Sequence, residues 1–137
     1  MNVVNHVYPT QDRIAALMSN PSAEPIVMLN LLKFKDKAVY ADGRPTTLSG
    51  REAYMLYGEP MQKFVQKNGG KFVFQGTIDQ LVIGEVGDMW DIVALVEYPS
   101  AAAFAKIATS PEVAEIGVHR AAGLEGQLLI RVQQRPF

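Results

Sequence analysis

Two short segments are apolar at almost every position, and they constrain the fold of this chain more than any other feature. They are IVMLNLL, at Ile26–Leu32, and IVALV, at Ile92–Val96. Apolar runs of this length that lie next to Pro or Ser are typical of buried β-strands. Since alternate side chains of a strand point to opposite faces, strands that are apolar on both sides must be covered on both. The sequence therefore predicts a sheet with two buried faces.

Helices are predicted where a capping residue precedes apolar residues at three- and four-residue spacing. They run from Thr10, as cap, to Ser19, where Asn20-Pro21-Ser22 ends the helix; from the capping box Ser49–Glu52 to Lys67; from Ala101 to Ala108; and from Ser110, as cap, to Ala122-Gly123. The predicted strands are Pro25–Phe34, Lys71–Ile83 with a bend at Gly76, Trp90–Tyr98 and Gly126–Gln133. The polar connection 36–48 is unusually long and is interpreted either as a functional flap or as an arm that reaches a partner.

Residues 1–24 form an N-terminal extension with one short helix, and residues 25–132 show the order βαββαβ. This order is that of the ferredoxin-like α+β fold, a four-stranded antiparallel sheet with helices on one face. Its first and third strands are central, and these are the two most apolar segments. The helices leave the second face open, and the chain offers only the Thr10 helix to cover it. A second copy, packed sheet to sheet in a homodimer, is the simplest cover.

Length and composition indicate one globular domain over residues 1–137, and they exclude several function classes. The net charge is −1 with both signs interspersed, so no nucleic-acid-binding surface is expected. Apolar runs are too short to cross a bilayer, and the first residues lack the pattern of a secretory signal. The chain has no cysteine, which excludes disulfides and thiolate chemistry and is consistent with the predicted location, the cytoplasm.

Three stretches carry a resemblance to a known family. They are Tyr54 and Tyr57 ahead of KNGGKFVFQG, then WDIVALVEYPS, then SPEVAEIGVHR. With them the chain from Pro25 to about Val132 resembles the dimeric α/β-barrel superfamily and, within it, the bacterial domain-of-unknown-function family 1330. The resemblance implies a dimeric barrel. Members of the superfamily include cofactor-independent oxygenases, isomerases, dehalogenating and haem-handling enzymes, and proteins without known activity, so the resemblance leaves the reaction open.

Asn30 is the amide inside the first apolar strand. Its polar groups need partners, because leaving them unpaired in a buried strand costs about 1–3 kcal/mol. It is either a structural amide or part of a pocket wall between sheet and helices. Its side chain shares the face of Ile26, Met28 and Leu32, so it lines a pocket if that face meets the helices and the dimer interface if it meets the partner sheet.

Arg120 shares one face of the last helix with Val113 and Ile116. Three placements are open: it extends to solvent at the helix end, it pairs with an acid such as Glu97 or Asp91, or it enters a pocket where its planar fork binds a ligand carboxylate. His119 lies at the margin of the same face, and a neutral imidazole can act as acid or base near pH 7.

Three aromatic side chains complete the candidate site. Tyr54 and Tyr57 lie one turn apart on the second helix, and their hydroxyls need partners if they are buried. Trp90, at the start of the third strand, is either core or the lid of a pocket mouth. The candidate ligand-binding residues are thus Asn30, Tyr54, Tyr57, Trp90 and Arg120, and the candidate proton carriers are His119 and Tyr54.

These residues predict a small-molecule-binding protein. No phosphate loop, nucleophile elbow or zinc-protease motif is present and there are only two histidines, so no metal and no cofactor are expected. The predicted ligand is a small organic molecule, with a carboxylate if Arg120 binds it, and any reaction is cofactor-independent acid–base or oxygenase- or isomerase-type chemistry. The alternative is a non-catalytic homodimeric structural or binding protein, in which the same residues only satisfy the core and the interface.

Overall fold

The structure, a computed structural model, describes residues 2–19 and 23–136. Its elements follow in the order α1 (Gln11–Ser19), β1 (Ile26–Phe34), α2 (Gly50–Lys67), β2 (Lys71–Thr77), β3 (Ile92–Tyr98), α3 (Ala101–Ala108), α4 (Pro111–Gly123) and β4 (Leu124–Val132). None of the helices within these residues is long and apolar enough to cross a membrane.

The predicted caps begin the helices. Ser49 Oγ accepts from the Glu52 N–H at 3.0 Å while Glu52 Oε1 accepts from the Ser49 N–H at 2.9 Å, which confirms the capping box of α2. At α1, α3 and α4 the hydroxyls of Thr10, Ser100 and Ser110 each accept from the backbone N–H three residues later, which caps these helices. The predicted end of α1 at Asn20-Pro21-Ser22 lies outside the described residues.

The sheet is antiparallel with the strand order β2-β3-β1-β4. This order places β1 and β3 at the centre, as predicted, and confirms the ferredoxin-like α+β fold. In the middle of the sheet, Leu29 of β1 lies opposite Leu95 of β3 on one side and Ile130 of β4 on the other.

The prediction for β2 was wrong at its end. The strand stops at Thr77 instead of Ile83, because its ladder with β3 ends at the pair Thr77–Ile92. Beyond this point the apolar residues Val82 and Ile83 lie in a loop and are 82% and 90% exposed. The ladder irregularity of β2 lies between Phe72 and Phe74, before the bend that was predicted at Gly76.

Two other strand ends shift by two residues. β3 begins at Ile92, so Trp90 lies in the preceding loop instead of in the strand. β4 begins at Leu124 instead of Gly126, since α4 passes directly into it and the ladder with β1 starts at the pair Leu124–Phe34.

One face of the sheet carries the core. Met28 and Ile26 of β1 pack with Val65 of α2 and Ile107 of α3, so this is the helix-facing side. Leu17 of α1 packs against the same cluster. The Thr10 helix therefore adds to the helix layer and does not cover the opposite face.

The opposite face, called the open face below, is apolar across the sheet. Its side chains alternate with the buried ones and remain half-buried or exposed in the single protomer; Phe74, for example, is 56% exposed. The apolar ones are Val27, Leu29, Leu31, Phe74, Val93, Leu95, Leu128, Ile130 and Val132, and the charged residues Lys33, Lys71 and Glu97 lie on the same face towards the strand ends.

The connection 36–48 is held against the helices of its own chain. Ala38 and Tyr40 are buried with Ala53 of α2 and Ala122 of α4, and the Val39 N–H donates to the Ala122 carbonyl at 3.0 Å. This segment therefore covers α2 and α4, the pair of helices that carries Tyr54 and Arg120, and its role as a functional flap or as an arm that reaches a partner stays a prediction.

Candidate functional site

A chain of side-chain hydrogen bonds links sheet and helix layer in the middle of the helix-facing side. Arg120 of α4 donates to Gln127 Oε1 at 2.6 Å, and Gln127 Nε2 donates to Asn30 Oδ1 at 2.8 Å. The Asn30 amide group donates to the carbonyls of Met28 and Ala94, at 3.1 and 3.4 Å. We call Asn30, Gln127 and Arg120 the polar chain.

Asn30 lies on the helix-facing side, which decides between the two faces that the sequence left open. Along β1 its neighbours on this face are Met28 and Leu32, which belong to two separate apolar clusters. Both the amide nitrogen and the oxygen of Asn30 have partners. Asn30 therefore orients the side chain of Gln127 from the sheet, and Gln127 in turn orients Arg120.

Arg120 is half-buried and donates to two neutral acceptors. Besides Gln127 it donates to the Val7 carbonyl at 2.7 Å, and its Cζ lies 5.7 Å from the centre of the Tyr8 ring. The expected acids are elsewhere: Asp91, for example, accepts from the Phe34 N–H at 2.8 Å. Within residues 2–19 and 23–136 no carboxylate pairs with Arg120.

Tyr54 and Tyr57 of α2 lie beside this cation. Their ring centroids are 5.4 Å apart, and the Tyr54 ring lies 5.3 Å from that of Phe34. Residues of the described ranges provide no hydrogen-bond partner to either hydroxyl, and neither oxygen is fully enclosed. Burial raises the pKa of both phenols, while the Arg120 charge acts in the opposite direction. Both are therefore neutral hydrogen-bond donors at neutral pH.

The other two predicted site residues lie outside this group. His119 Nδ1 is 2.6 Å from the Tyr40 hydroxyl, so its partner is in the connection 36–48. The Trp90 indole N–H donates to Asn5 Oδ1 at 2.7 Å. The structure thus brings together Asn30, Tyr54, Tyr57 and Arg120, and gives His119 and Trp90 partners of their own.

The N-terminal segment, residues 5–8, contacts both the edge strand β4 and Arg120 of α4. His6 and Gln127 exchange backbone hydrogen bonds of 2.8 and 3.3 Å, which adds a short bridge to the edge of β4. Val7 packs against the cluster of Leu32, Phe34 and Leu124, beside Tyr54.

Sequence reasoning missed Gln127 and this segment. Gln127 had a usable signal, since it is a polar residue in an apolar strand and alternation places it on the face of Asn30. Residues 5–8 carry no comparable signal, because their role depends on backbone groups.

Two open surface clefts lie away from the polar chain. One of about 350 Å³ is lined by residues that include Lys33, Asp36 and Arg51, and one of about 440 Å³ by residues that include Glu24 and Glu97. Neither is lined by Arg120, Tyr54 or Tyr57. Both hold carboxylates next to their cations, so neither matches the polar chain as a site for an anion.

The geometry suits binding better than proton transfer. A half-buried guanidinium and two neutral phenols can together hold a carboxylate, because charge-assisted hydrogen bonds are the strong ones. A general acid or base works best with a pKa near the working pH, whereas burial raises the pKa of Tyr54.

The polar chain should contribute to stability as a unit. Asn30→Ala leaves Gln127 without its acceptor, and we expect it to lower the free energy of unfolding by about 1–3 kcal/mol. Because the two side chains share one hydrogen bond, the double variant with Gln127→Ala should lose less than the sum of the single losses. Urea denaturation of the four proteins measures this, and strict additivity would contradict the coupling.

The buried phenols predict a loss of stability at high pH. Burial raises the pKa of Tyr54, Tyr57 and Tyr98 in the folded chain, so the unfolded chain releases these protons first. The contribution of the neutral phenols to the free energy of unfolding is complete below about pH 10. It is lost as the pH rises above about 10, by up to about 1.4 kcal/mol per pH unit for each group. Urea midpoints between pH 9 and 11.5 should fall less steeply for Tyr54→Phe than for wild type. Tyr8→Phe, at an exposed ring, is the control, and equal slopes in all three proteins would contradict the prediction.

Fold and site together define an α+β protein of ferredoxin-like topology with a polar chain between sheet and helices. Residues 33–133 match the family described as Domain of unknown function (DUF1330), and the chain belongs to this family, as the sequence motifs indicated. Among curated proteins, none matches the chain.

The chain is similar to several solved structures. Two crystal structures of one such protein from Rhodopseudomonas palustris, one of it methylated, align with TM-scores of 0.88 and 0.87. They are 37% and 36% identical, over 98% and 97% of this chain and 98% and 100% of theirs. An uncharacterised NIPSNAP-like domain protein from Burkholderia xenovorans has a TM-score of 0.51 and 17% identity, over 85% of this chain and 90% of its own. A Bacteroides fragilis protein described as dimeric, with a ferredoxin-like fold, has a TM-score of 0.48 and 15% identity, over 80% and 96%.

Proposed function

We propose that this protein binds a small organic molecule with a carboxylate group in the space between the sheet and the helices α2 and α4. The observation that carries the proposal is the half-buried Arg120, which donates only to an amide and a backbone carbonyl of the described chain. A guanidinium that is partly removed from water gains most from an anionic partner, and its planar fork fits a carboxylate.

The surroundings of Arg120 support such a ligand. The hydroxyls of Tyr54 and Tyr57 are neutral donors that can reach a second ligand oxygen or a hydroxyl group. The rings of Phe34 and Tyr54 offer an apolar wall. A few polar groups set in an apolar lining are typical of small-molecule sites.

Tyr54 is the hydrogen-bond donor that we propose for any reaction of the bound molecule. Burial raises the pKa of its phenol, which makes it a weak acid that stays protonated, so we assign it the stabilisation of negative charge that develops on the ligand in cofactor-independent isomerase- or oxygenase-type chemistry. His119 is bound to Tyr40 instead. The competing interpretation is a non-catalytic protein in which the polar chain only stabilises the fold.

Removing the Arg120 charge tests the proposal. Arg120→Gln keeps a hydrogen-bonding side chain but loses the cation, and we expect it to weaken carboxylate binding by about 10- to 100-fold. Thermal shift and calorimetry with small carboxylates from acetate to benzoate, each compared with its uncharged amide, measure this loss.

The matched control is Arg13→Gln, which removes the same charge from an exposed position on α1. It should bind as wild type does. Equal carboxylate binding by wild type and Arg120→Gln would reject the role of Arg120, and equal binding of acid and amide would reject the preference for an anion.

We also propose that two copies pack through their open faces. The apolar residues of that face lie in the middle of the sheet, where Leu29, Leu95 and Ile130 are neighbours. An apolar surface that spans all four strands is larger than monomers normally leave in water. A two-fold axis through this face would bury the same residues of both protomers.

A further inference from the structure

We propose that the N-terminal segment, residues 5–8, is a strap that occupies Arg120 in the absence of ligand and is displaced by the ligand carboxylate. This inference rests on the proposed binding function and adds its regulation. The strap would make ligand entry depend on a conformational change at one end of the space between sheet and helices.

The contact with Arg120 is the first argument. The Val7 carbonyl accepts from the guanidinium at 2.7 Å, and Tyr8 places its ring 5.7 Å from Cζ. A carbonyl oxygen carries only a partial charge, whereas a carboxylate carries a full one and can accept two parallel hydrogen bonds from the fork. The strap therefore holds the position of the anion with a weaker partner, which a ligand can replace.

The attachment of the strap is the second argument. Besides the contacts of Val7 and Tyr8, the described residues attach it through one backbone bridge, His6 with Gln127, and through the bond from Trp90 to Asn5. Most of its side chains are exposed; Tyr8, for example, is 65% exposed. A segment with few buried contacts opens at a small fraction of the free energy of global unfolding.

The position of Val7 is the third argument. Its side chain packs on Leu32, Phe34 and Leu124, beside Tyr54. Moving the strap aside would therefore uncover the cation and the apolar cluster against which Tyr54 also packs. One displacement would release Arg120 and open the end of the site.

Gly126 provides a way to open the strap without replacing a side chain of the polar chain. A Cβ atom at Gly126 would lie 2.4 Å from the Cβ of Asn5, which is closer than two non-bonded carbon atoms can approach. Gly126→Ala should push Asn5 away from β4. At Gly87 a Cβ would meet nothing within 4 Å, so Gly87→Ala is the matched control.

Trp90 reports the state of the strap, since it is the only tryptophan and its indole N–H is bound to Asn5. In Gly126→Ala we expect the Trp90 fluorescence emission to move to longer wavelength, because the indole becomes solvated. We also expect Gly126→Ala to bind benzoate about tenfold more tightly than wild type or Gly87→Ala does. A site that is closed most of the time has its affinity lowered by the open fraction. Benzoate added to wild type should produce the same change in emission.

The outcomes separate the two proposals. If Gly126→Ala shows the emission of an open strap but binds benzoate no more tightly than wild type, the strap proposal is wrong, whereas the carboxylate-site proposal is unaffected. Benzoate binding to neither protein overturns the site, and the strap proposal falls with it. Hydrogen exchange on wild type needs no variant: benzoate should speed exchange of the His6 and Gln127 amides, and slower exchange would show that the strap closes over the ligand instead.

Discussion

Replacing Gly123 by alanine should lower the free energy of unfolding by about 3 kcal/mol. A Cβ at Gly123 would lie 2.2 Å from the Gly50 carbonyl oxygen and 2.8 Å from the Tyr54 nitrogen. Both are backbone atoms, so no side chain can turn away. Accommodating the methyl group requires α2 and α4 to separate.

Gly117, on the same helix, is the matched control. A Cβ there would meet nothing within 4 Å, so Gly117→Ala should gain up to about 1 kcal/mol from the higher helix propensity of alanine. Urea denaturation of both variants measures the difference. Equal effects would mean that the close contact between the helices does not determine their packing.

The contact at Gly123 also bears on the candidate site. Because α2 carries Tyr54 and α4 carries Arg120, the glycine contact sets the distance between phenol and cation. A folded Gly123→Ala protein should therefore bind carboxylates more weakly than Gly117→Ala, which calorimetry with benzoate can measure.

Replacing Leu29 by lysine should raise the dissociation constant of the proposed dimer more than 100-fold. Leu29 lies at the centre of the open face, between Leu95 and Ile130. Burial of one leucine contributes about 1.5–3 kcal/mol, and a two-fold dimer loses two of them, or about 3–6 kcal/mol in all. Native mass spectrometry and light scattering over a range of concentrations measure the shift.

Val39→Lys is the control for this experiment. Val39 is 62% exposed on the connection 36–48, so the change adds the same charge at an apolar position outside the open face. We expect it to leave the oligomeric state unchanged. A wild type that stays monomeric at tens of micromolar, or a Leu29→Lys protein that stays dimeric, would contradict sheet-to-sheet packing.

Local sequence signals predicted the fold well where they act over a few residues. The capping box at Ser49 and the caps at Thr10, Ser100 and Ser110 begin helices because each side chain satisfies a backbone N–H only three residues away. The end of β2 was wrong for the opposite reason. Leu81–Ile83 have strand-forming side chains, yet a strand also needs a partner, and the ladder with β3 ends at Thr77.

The candidate site was predicted in part for a similar reason. Spacing along α2 and α4 placed Tyr57 and Arg120 on the apolar faces of their helices and Tyr54 near the edge of such a face, and the structure brings the three together. His119 differs, because one step along a helix turns a side chain by about 100°, enough to direct it to Tyr40 instead. Trp90 differs because β3 begins two residues later than predicted.

The sequence by itself determined the order of elements, the central strands and the need to cover two apolar faces. These follow from periodicity and caps, which are properties of neighbouring residues. Only the tertiary structure decided that Asn30 faces the helices, that Gln127 joins it to Arg120, and that the Val7 carbonyl is the other partner of the guanidinium. The physical reason is sequence separation. Gln127 and Asn30 are 97 positions apart and Arg120 and Val7 are 113 positions apart, so only the packing of the chain brings these donors and acceptors together.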